Sequence, residues 1–351
     1  MAIDMEKLYH QPAEAQETSL NSLRIKVTER CPWQCAFCHN EGWHSATDLQ
    51  WGPKIEEIVK SLQRVLPSIN EIHYTGGEPT KNPELATITA GLSALGLEVK
   101  TTTNGQFSED ELRRLVESGI KSFNFSVHSL DPDRFLRFQL GRGVWWKNKQ
   151  REEVLSESMR KNYNEPVQNR EWAIDQISQQ LAMIQKAKEL GIDIKINTVI
   201  SAIEDIDNAK EIFDWSKDHD IPLRLLNDLG NGLESINAIR SFIGGTNAKE
   251  VLRKVEKGTS ACSTIYKTED GYEFAFKQIR DFKLESMCRN CPRNTNKTCE
   301  EQFYGIRLQQ EKDENFYVVL CIQENNEKTK MTVEDFLRSP QLKEIQSYLS
   351  S

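Results

Sequence analysis

Short β-branched runs alternate with longer amphipathic stretches over residues 23–228. Residues 23–28, 71–75, 97–103, 122–128, 193–200 and 223–226 have the length and composition of strands. Between them, residues 53–66, 83–95, 109–118, 172–190 and 203–218 carry apolar side chains at helical spacing. In the first of these, Ile55, Ile58, Val59 and Leu62 share one face. Ser108 stands where an N-cap belongs. Repeated strand–helix alternation implies parallel βαβ units. The fold class is therefore α/β, and six such units predict a partial (β/α)6 TIM-like barrel open on one side.

Parallel barrels carry their chemistry at strand C-termini. The first strand here runs into Cys31, and the second into Thr75-Gly76-Gly77-Glu78-Pro79. The third ends in Thr102-Thr103-Asn104-Gly105 and the fourth in Ser126-Val127-His128-Ser129. The fifth carries Lys195, Asn197 and Thr198, and the sixth Arg224, Asn227 and Asp228. One polar strand end means little, but a series in register predicts a single site at the barrel mouth.

The 351 residues carry a net charge of −8, enough chain for a large core plus an appendage. No apolar run is long enough to span a bilayer. Residues 1–22 are polar and lack the apolar segment of a signal peptide. A cytoplasmic protein with no membrane partner is expected, and the acidic balance gives no support to nucleic-acid binding. Eight cysteines in that setting argue for metal or redox chemistry rather than a disulfide framework. They form an early group (31, 35, 38) and a late one (262, 288, 291, 299, 321). The expected organisation is a tail over 1–20, a barrel over 21–235 with an excursion at 137–171, and a cysteine-rich C-terminal extension over 236–351.

Cys31, Cys35 and Cys38 form a C-x3-C-x2-C array with Phe37 before the last cysteine. Three thiolates can hold three irons of a cubane cluster and leave the fourth open. A zinc site completed by His39 is the alternative. Gly76 and Gly77 allow unusual backbone angles and close approach of a ligand, with the Glu78 carboxylate nearby. A tight βα turn with a capping acid would look the same. In the late group, three of Cys288, Cys291, Cys299 and Cys321 could hold a second cluster with an open iron. A fourth thiolate would close it, and a zinc ribbon is the alternative. Cys262 reads as a buried free thiol.

The cysteine array followed by GGEP resembles the radical S-adenosylmethionine (radical SAM) superfamily. Segments 23–31, 75–79, 102–105, 126–131, 195–200, 223–227 and 270–274, the Cys288/Cys291 pair, 305–308 and Cys321 resemble, in order, its MoaA-type branch, the GTP 3′,8-cyclases. That resemblance covers residues 20–325 with gaps. It implies a 4Fe–4S cluster on Cys31, Cys35 and Cys38, whose open iron chelates SAM for reductive cleavage to a 5′-deoxyadenosyl radical. It implies SAM contacts at Phe37, Gly76, Gly77, Glu78, Pro79, Thr102, Ser126 and Asn197. An auxiliary 4Fe–4S cluster would sit on Cys288, Cys291 and Cys321, with Cys299 a further candidate. Arg24, Lys195, Arg224 and Arg307 would face substrate or SAM, guanidinium groups being suited to bidentate phosphate or carboxylate binding. The implied partners are a small, nucleotide-like substrate and an electron donor such as flavodoxin or ferredoxin. A maturase acting on a ribosomally made peptide is the alternative, and a non-catalytic iron–sulfur or zinc protein the third reading.

The chain also departs from that branch. Glu71 and His73 occupy positions that are basic in the family. Arg293 and Arg307, closely spaced in the family, are separated here by a segment that brings Cys299. Tyr348-Leu349-Ser350-Ser351 stands where the family has a double-glycine tail. Residues 137–171, with Trp145 and Trp146, have no counterpart and read as a lid over the barrel mouth or as a solvated helical excursion.

Overall fold

The computed structural model describes residues 15–38, 47–139, 169–294, 299 and 301–350. Alternation of faces along each strand builds its central wall. In β2 (Ser22–Thr28), which follows the short β1 (Ala15–Ser19), Leu23, Ile25 and Val27 are fully buried under helices. Arg24 and Lys26 point to the opposite face. The same rule holds in β3 (Glu71–Gly76), β4 (Glu98–Thr103), β5 (Ile120–Ser126), β6 (Asp193–Ile200) and β7 (Leu223–Asn227). Their outer faces bury Ile72, Tyr74, Val99, Phe123, Phe125, Ile196, Leu223 and Leu225, each contributing ~1.5–3 kcal/mol. The inner faces carry His73, Lys100, Thr102, Asn124, Lys195, Asn197 and Arg224.

The covering helices are α1 (Pro53–Val65), α2 (Leu85–Ala94), α3 (Glu109–Glu117), α4 (Pro132–Gln139), α5 (Arg170–Glu189), α6 (Ile206–Asp218) and α7 (Gly232–Gly245). Local chemistry starts several of them. Pro53 opens α1, where its missing N–H costs nothing. Ser108 caps α3 by accepting from Glu111 N at 3.2 Å, and three acids in the first turn suit the helix dipole. Asn169 caps α5 through Trp172 N.

β2 to β7 are parallel neighbours in sequence order, as expected, but they are part of a 13-stranded sheet. β10 (Glu273–Ile279) adds parallel to β7, followed outward by β9 (Ala261–Lys267), β8 (Lys249–Lys257) and β1. At the other edge β11 (Ile306–Gln310) adds parallel to β2, followed by β12 (Phe316–Val319) and β13 (Lys330–Thr332). Helices α8 (Glu285–Cys288), α9 (Val333–Arg338) and α10 (Pro340–Ser350) complete the described chain. Ser260 N donates to Phe303 O at 2.6 Å, and Phe303 N to Phe282 O at 3.0 Å. These bonds tie the β8–β10 extension to the segment leading into β11, while the sheet itself remains an open, curled wall with β1 and β13 at its edges.

The expected boundary after residue 235 falls inside α7, and β1, within the expected tail, pairs with β8. Of the excursion at 137–171, only its flanks in α4 and α5 are described. Trp145 and Trp146, like His39, lie outside the described residues. No described helix is long and apolar enough to cross a membrane.

Candidate active site

The segment after β2 carries the first three cysteines and is braced from two sides. Gly77 N donates to Thr28 O at 2.9 Å and Glu78 N to Arg30 O at 2.7 Å, so the segment after β3 lies against the chain entering Cys31. On the other side Ala36 N donates to Phe138 O, and Gln34 N to Gln139 Oε1, both at 2.7 Å. Trp33 packs edge-on to Phe135, and its Nε1 donates to Gln176 Oε1 at 2.9 Å. Phe37 packs edge-on to His128, with centroids 4.5 Å apart. Asn104 Nδ2 approaches Cys31 Sγ at 3.8 Å and Gln139 Nε2 approaches Cys35 Sγ at 3.6 Å. Burial, then the charges of Cys35, Cys38 and Glu78, push the Cys31 thiol well above its ordinary value. Three sulfurs so gathered ionise readily only beside a cation.

The glycines serve a tighter purpose than ligand access alone. A Cβ on Gly76 would lie 2.2 Å from Thr28 O, and one on Gly77 2.4 Å from Arg30 O. Gly76 also has φ +130°. Glu78 is 1% exposed. Its Oε1 accepts from Thr80 N, Thr80 Oγ1 and Thr103 Oγ1, and its Oε2 from Asn104 N at 2.6 Å. Burial raises its pKa against those bonds. The carboxylate caps the 3-10 turn Pro79–Lys81 and ties two strand ends together.

Ser126 of β5, Asn197 of β6 and Arg224 of β7 are register partners in one row across the wall. The Ser126 carbonyl accepts from Gln180 Nε2 at 2.9 Å. Asn197 Oδ1 and Thr75 Oγ1 are buried without a hydrogen-bond partner among the described residues. Thr102 Oγ1 lies 2.8 Å from His73 Nε2.

Deeper in the lumen the wall is basic. Burial, followed by the charges of Arg224 and Lys100, holds the Lys195 pKa below the usual lysine range. Arg24 lies in register with His73 and Arg307 on the flanking strands. Tyr304 and Lys277 also face this space: the Arg24 guanidinium and Lys277 Nζ both lie over the Tyr304 ring. Lys100 is neutralised by Glu71 at 2.5 Å and Glu98 at 3.0 Å. Arg307 is 5% exposed and paired with Glu301 at 3.2 Å.

The late cysteines Cys288, Cys291, Cys299 and Cys321 line one pocket, with Lys283 and Arg293. Burial, then the Cys299 charge, pushes the Cys288 thiol up to about 11. Cys262 is buried on β9 beside Arg253 Nε at 3.4 Å, as a separate free thiol.

The profile of the radical SAM superfamily matches residues 25–216, more than half of the chain. The chain belongs to the radical SAM superfamily. It is similar to the GTP 3′,8-cyclase of Aquifex aeolicus, with 26% identity over 78% of each chain. It is likewise similar to that of Clostridium perfringens, with 25% identity over 82% of this chain and 83% of the relative. These matches agree with the MoaA-type branch. Among solved structures, Streptococcus suis SuiB bound to S-adenosylmethionine shares the fold, with TM-score 0.53 and 15% identity over 94% of this chain and 68% of that one. The fold is also that of anSMEcpe with bound AdoMet, with TM-score 0.51 and 14% identity over 93% and 82%.

Radical SAM enzymes carry a 4Fe–4S cluster and SAM, and the residues present fit both. Three thiols on one loop, with Cys35 and Cys38 acting electrostatically on Cys31, suit the cluster, although among the described residues no three such side chains already stand as a metal cage. The orphaned Asn197 Oδ1 and Thr75 Oγ1 suit a polar ligand beside it. Several residues of this candidate site were not read from the sequence. Gln139 and Gln180 lie on helices far along the chain, where nothing local marks them. Lys277 had a signal: in Glu273-Phe274-Ala275-Phe276-Lys277 the buried phenylalanines alternate with inward positions.

Proposed function

We propose that this radical SAM enzyme acts on a small, anionic, nucleotide-like substrate held in the barrel lumen. The observation that carries the proposal is the cluster of Arg24, Lys195, Arg224 and Lys277. Among the described residues none of the four has a carboxylate within 4.0 Å; Glu256 acts on Arg24 and Lys277, and Glu71 on Arg224, only from farther away. Like charges confined behind strand walls repel one another, and an anion relieves that repulsion. Arg24 and Arg224 offer flat donor forks for phosphate or carboxylate, and Lys195 a point charge.

In this reading Cys31, Cys35 and Cys38 hold the first cluster. Phe37 steadies that loop through His128. The backbone of Gly76, Gly77 and Pro79, with Thr102, Ser126 and Asn197, lines the SAM position, and Glu78 braces it. When bound, the cluster and SAM supply the electron transfer that generates a 5′-deoxyadenosyl radical. The protein's own part is to orient SAM, exclude water and present one substrate C–H bond. Arg307 acts through Glu301 rather than on substrate directly. Cys288, Cys291 and Cys321 hold a second 4Fe–4S cluster, and the electron comes from a flavodoxin- or ferredoxin-type donor.

The test is anaerobic reconstitution with a 5′-deoxyadenosine assay, adding GTP, other nucleotides or candidate peptides. The expected result is product that requires Cys31, Cys35 and Cys38 and is stimulated by a phosphorylated small molecule. Absence of 5′-deoxyadenosine under strong reduction, with clusters intact and substrates present, sinks the enzyme reading. Stimulation by a peptide alone replaces the substrate class.

A further inference from the structure

We infer that Cys299 is the fourth ligand of the second metal site, so that a cluster there has no open iron and does not anchor substrate. This rests on the second-cluster reading and deepens it. Three thiolates leave one corner of a cubane open, whereas a fourth closes it.

Cys299 interacts electrostatically with Cys288 and Cys291. Cys288, Cys291, Cys299 and Cys321 line one pocket, whereas Cys262 sits apart on β9. Gln302 has φ +61°, a conformation uncommon for a side-chain-bearing residue. From that turn its backbone N–H donates to Cys299 Sγ at 3.4 Å, and its Nε2 donates to Cys299 O at 2.9 Å. An N–H bond to a ligating sulfur is one of the devices by which proteins tune iron–sulfur clusters.

Glu301 fixes this segment relative to Cys321. It is 1% exposed, and its Oε2 accepts from Ile322 N at 2.8 Å and Gln323 N at 3.2 Å, and from the Cys321 thiol at 3.3 Å only while that thiol keeps its proton. One buried carboxylate thus clamps the chain after Cys299 to the chain carrying Cys321. Lys283 and Arg293 line the same pocket, Lys283 paired with Asp281 at 3.4 Å and Arg293 with Glu324 at 2.5 Å. Loading releases the four thiol protons to solvent. With all irons held by protein sulfur, the site can pass or accept an electron, and substrate binding falls to the lumen cations.

The test uses the full chain with Cys31→Ala, Cys35→Ala and Cys38→Ala, which isolates the second site. Iron and zinc are counted after anaerobic reconstitution, and the reduced cluster is followed by electron paramagnetic resonance with and without cyanide, a ligand for open iron. About four irons and a spectrum indifferent to cyanide are expected. Adding Cys299→Ala should make the spectrum cyanide-sensitive, yield a three-iron cluster on mild oxidation, or lose the iron; adding Cys262→Ala should do none of these. An iron-loaded site that already responds to cyanide with Cys299 present overturns the assignment, whatever the Cys299 variant does. So does a Cys299→Ala variant with unchanged iron and spectrum. Zinc or no metal in the triple variant overturns the second-cluster reading itself, and this inference with it.

Discussion

The Arg24 guanidinium lies over the Tyr304 ring, 4.2 Å from its centroid. Lys277 Nζ stands 4.8 Å from the same centroid. Burial alone would raise the phenol's pKa, but the charges of Lys277 and Arg24 outweigh burial and the opposing Glu256, and bring it down to about 8. The unfolded value is about 10. A depressed folded value means that the phenolate favours the native state. Its stabilisation is fully present above about pH 10 and is lost as pH falls through about 8. Tyr304→Phe should remove a phenol titrating near that lower value in ultraviolet difference spectra, and flatten the stability–pH slope across this window. Identical titrations of wild type and variant would contradict the arrangement.

Gly77→Ala should disrupt the first cysteine loop. The new methyl would meet Arg30 O at 2.4 Å and Glu29 O at 2.6 Å, both backbone atoms unable to swing aside. A loss of ~3 kcal/mol in denaturant unfolding is expected, at the upper end for overpacking. Iron at the first site should fall with it, because Arg30 leads directly into Cys31. Gly244→Ala on α7, with nothing within 4 Å of the added carbon, should be neutral or stabilising by ~0.5–1 kcal/mol.

Glu78→Gln keeps the side chain's shape but replaces one acceptor oxygen with a donor. Either Asn104 N or the Thr80 N and hydroxyl group then faces an N–H. A loss of ~1–3 kcal/mol is expected, read from denaturant unfolding of the apoprotein. A stability change within experimental error would mean that the carboxylate is not the brace described.

Lys195→Met and Arg224→Leu should separate substrate binding from SAM cleavage. Each loses a charge-assisted contact worth ~1.5–3 kcal/mol, roughly a 10- to 150-fold rise in substrate KM. Substrate-independent 5′-deoxyadenosine formation should stay near wild type. A loss of SAM cleavage equal to the loss in substrate turnover would move these residues from the substrate to SAM.

Several elements were legible in the sequence because their causes are local. The strand Asp193–Ile200 shows its faces through β-branched alternation. Ser108 announces α3 because a cap needs only a hydroxyl three residues before its donor. The Cys31–Cys38 spacing carries its chemistry within a single loop. By contrast, β1 reads Ala-Gln-Glu-Thr-Ser, fully exposed, with no apolar signal. It is a strand because its backbone pairs with β8.

What the sequence by itself determined was the βα alternation, the order of the strand-end motifs and two groups of thiols. Each of these depends on spacing along the chain. Only the tertiary structure decided that Glu78 braces Thr103 and Asn104, that Arg24 and Lys277 converge on Tyr304, and that Cys299 joins the late pocket while Cys262 does not. Those relations depend on how the sheet curls and which strands it sets side by side. Backbone pairing between distant segments sets that arrangement, and residue spacing does not encode it.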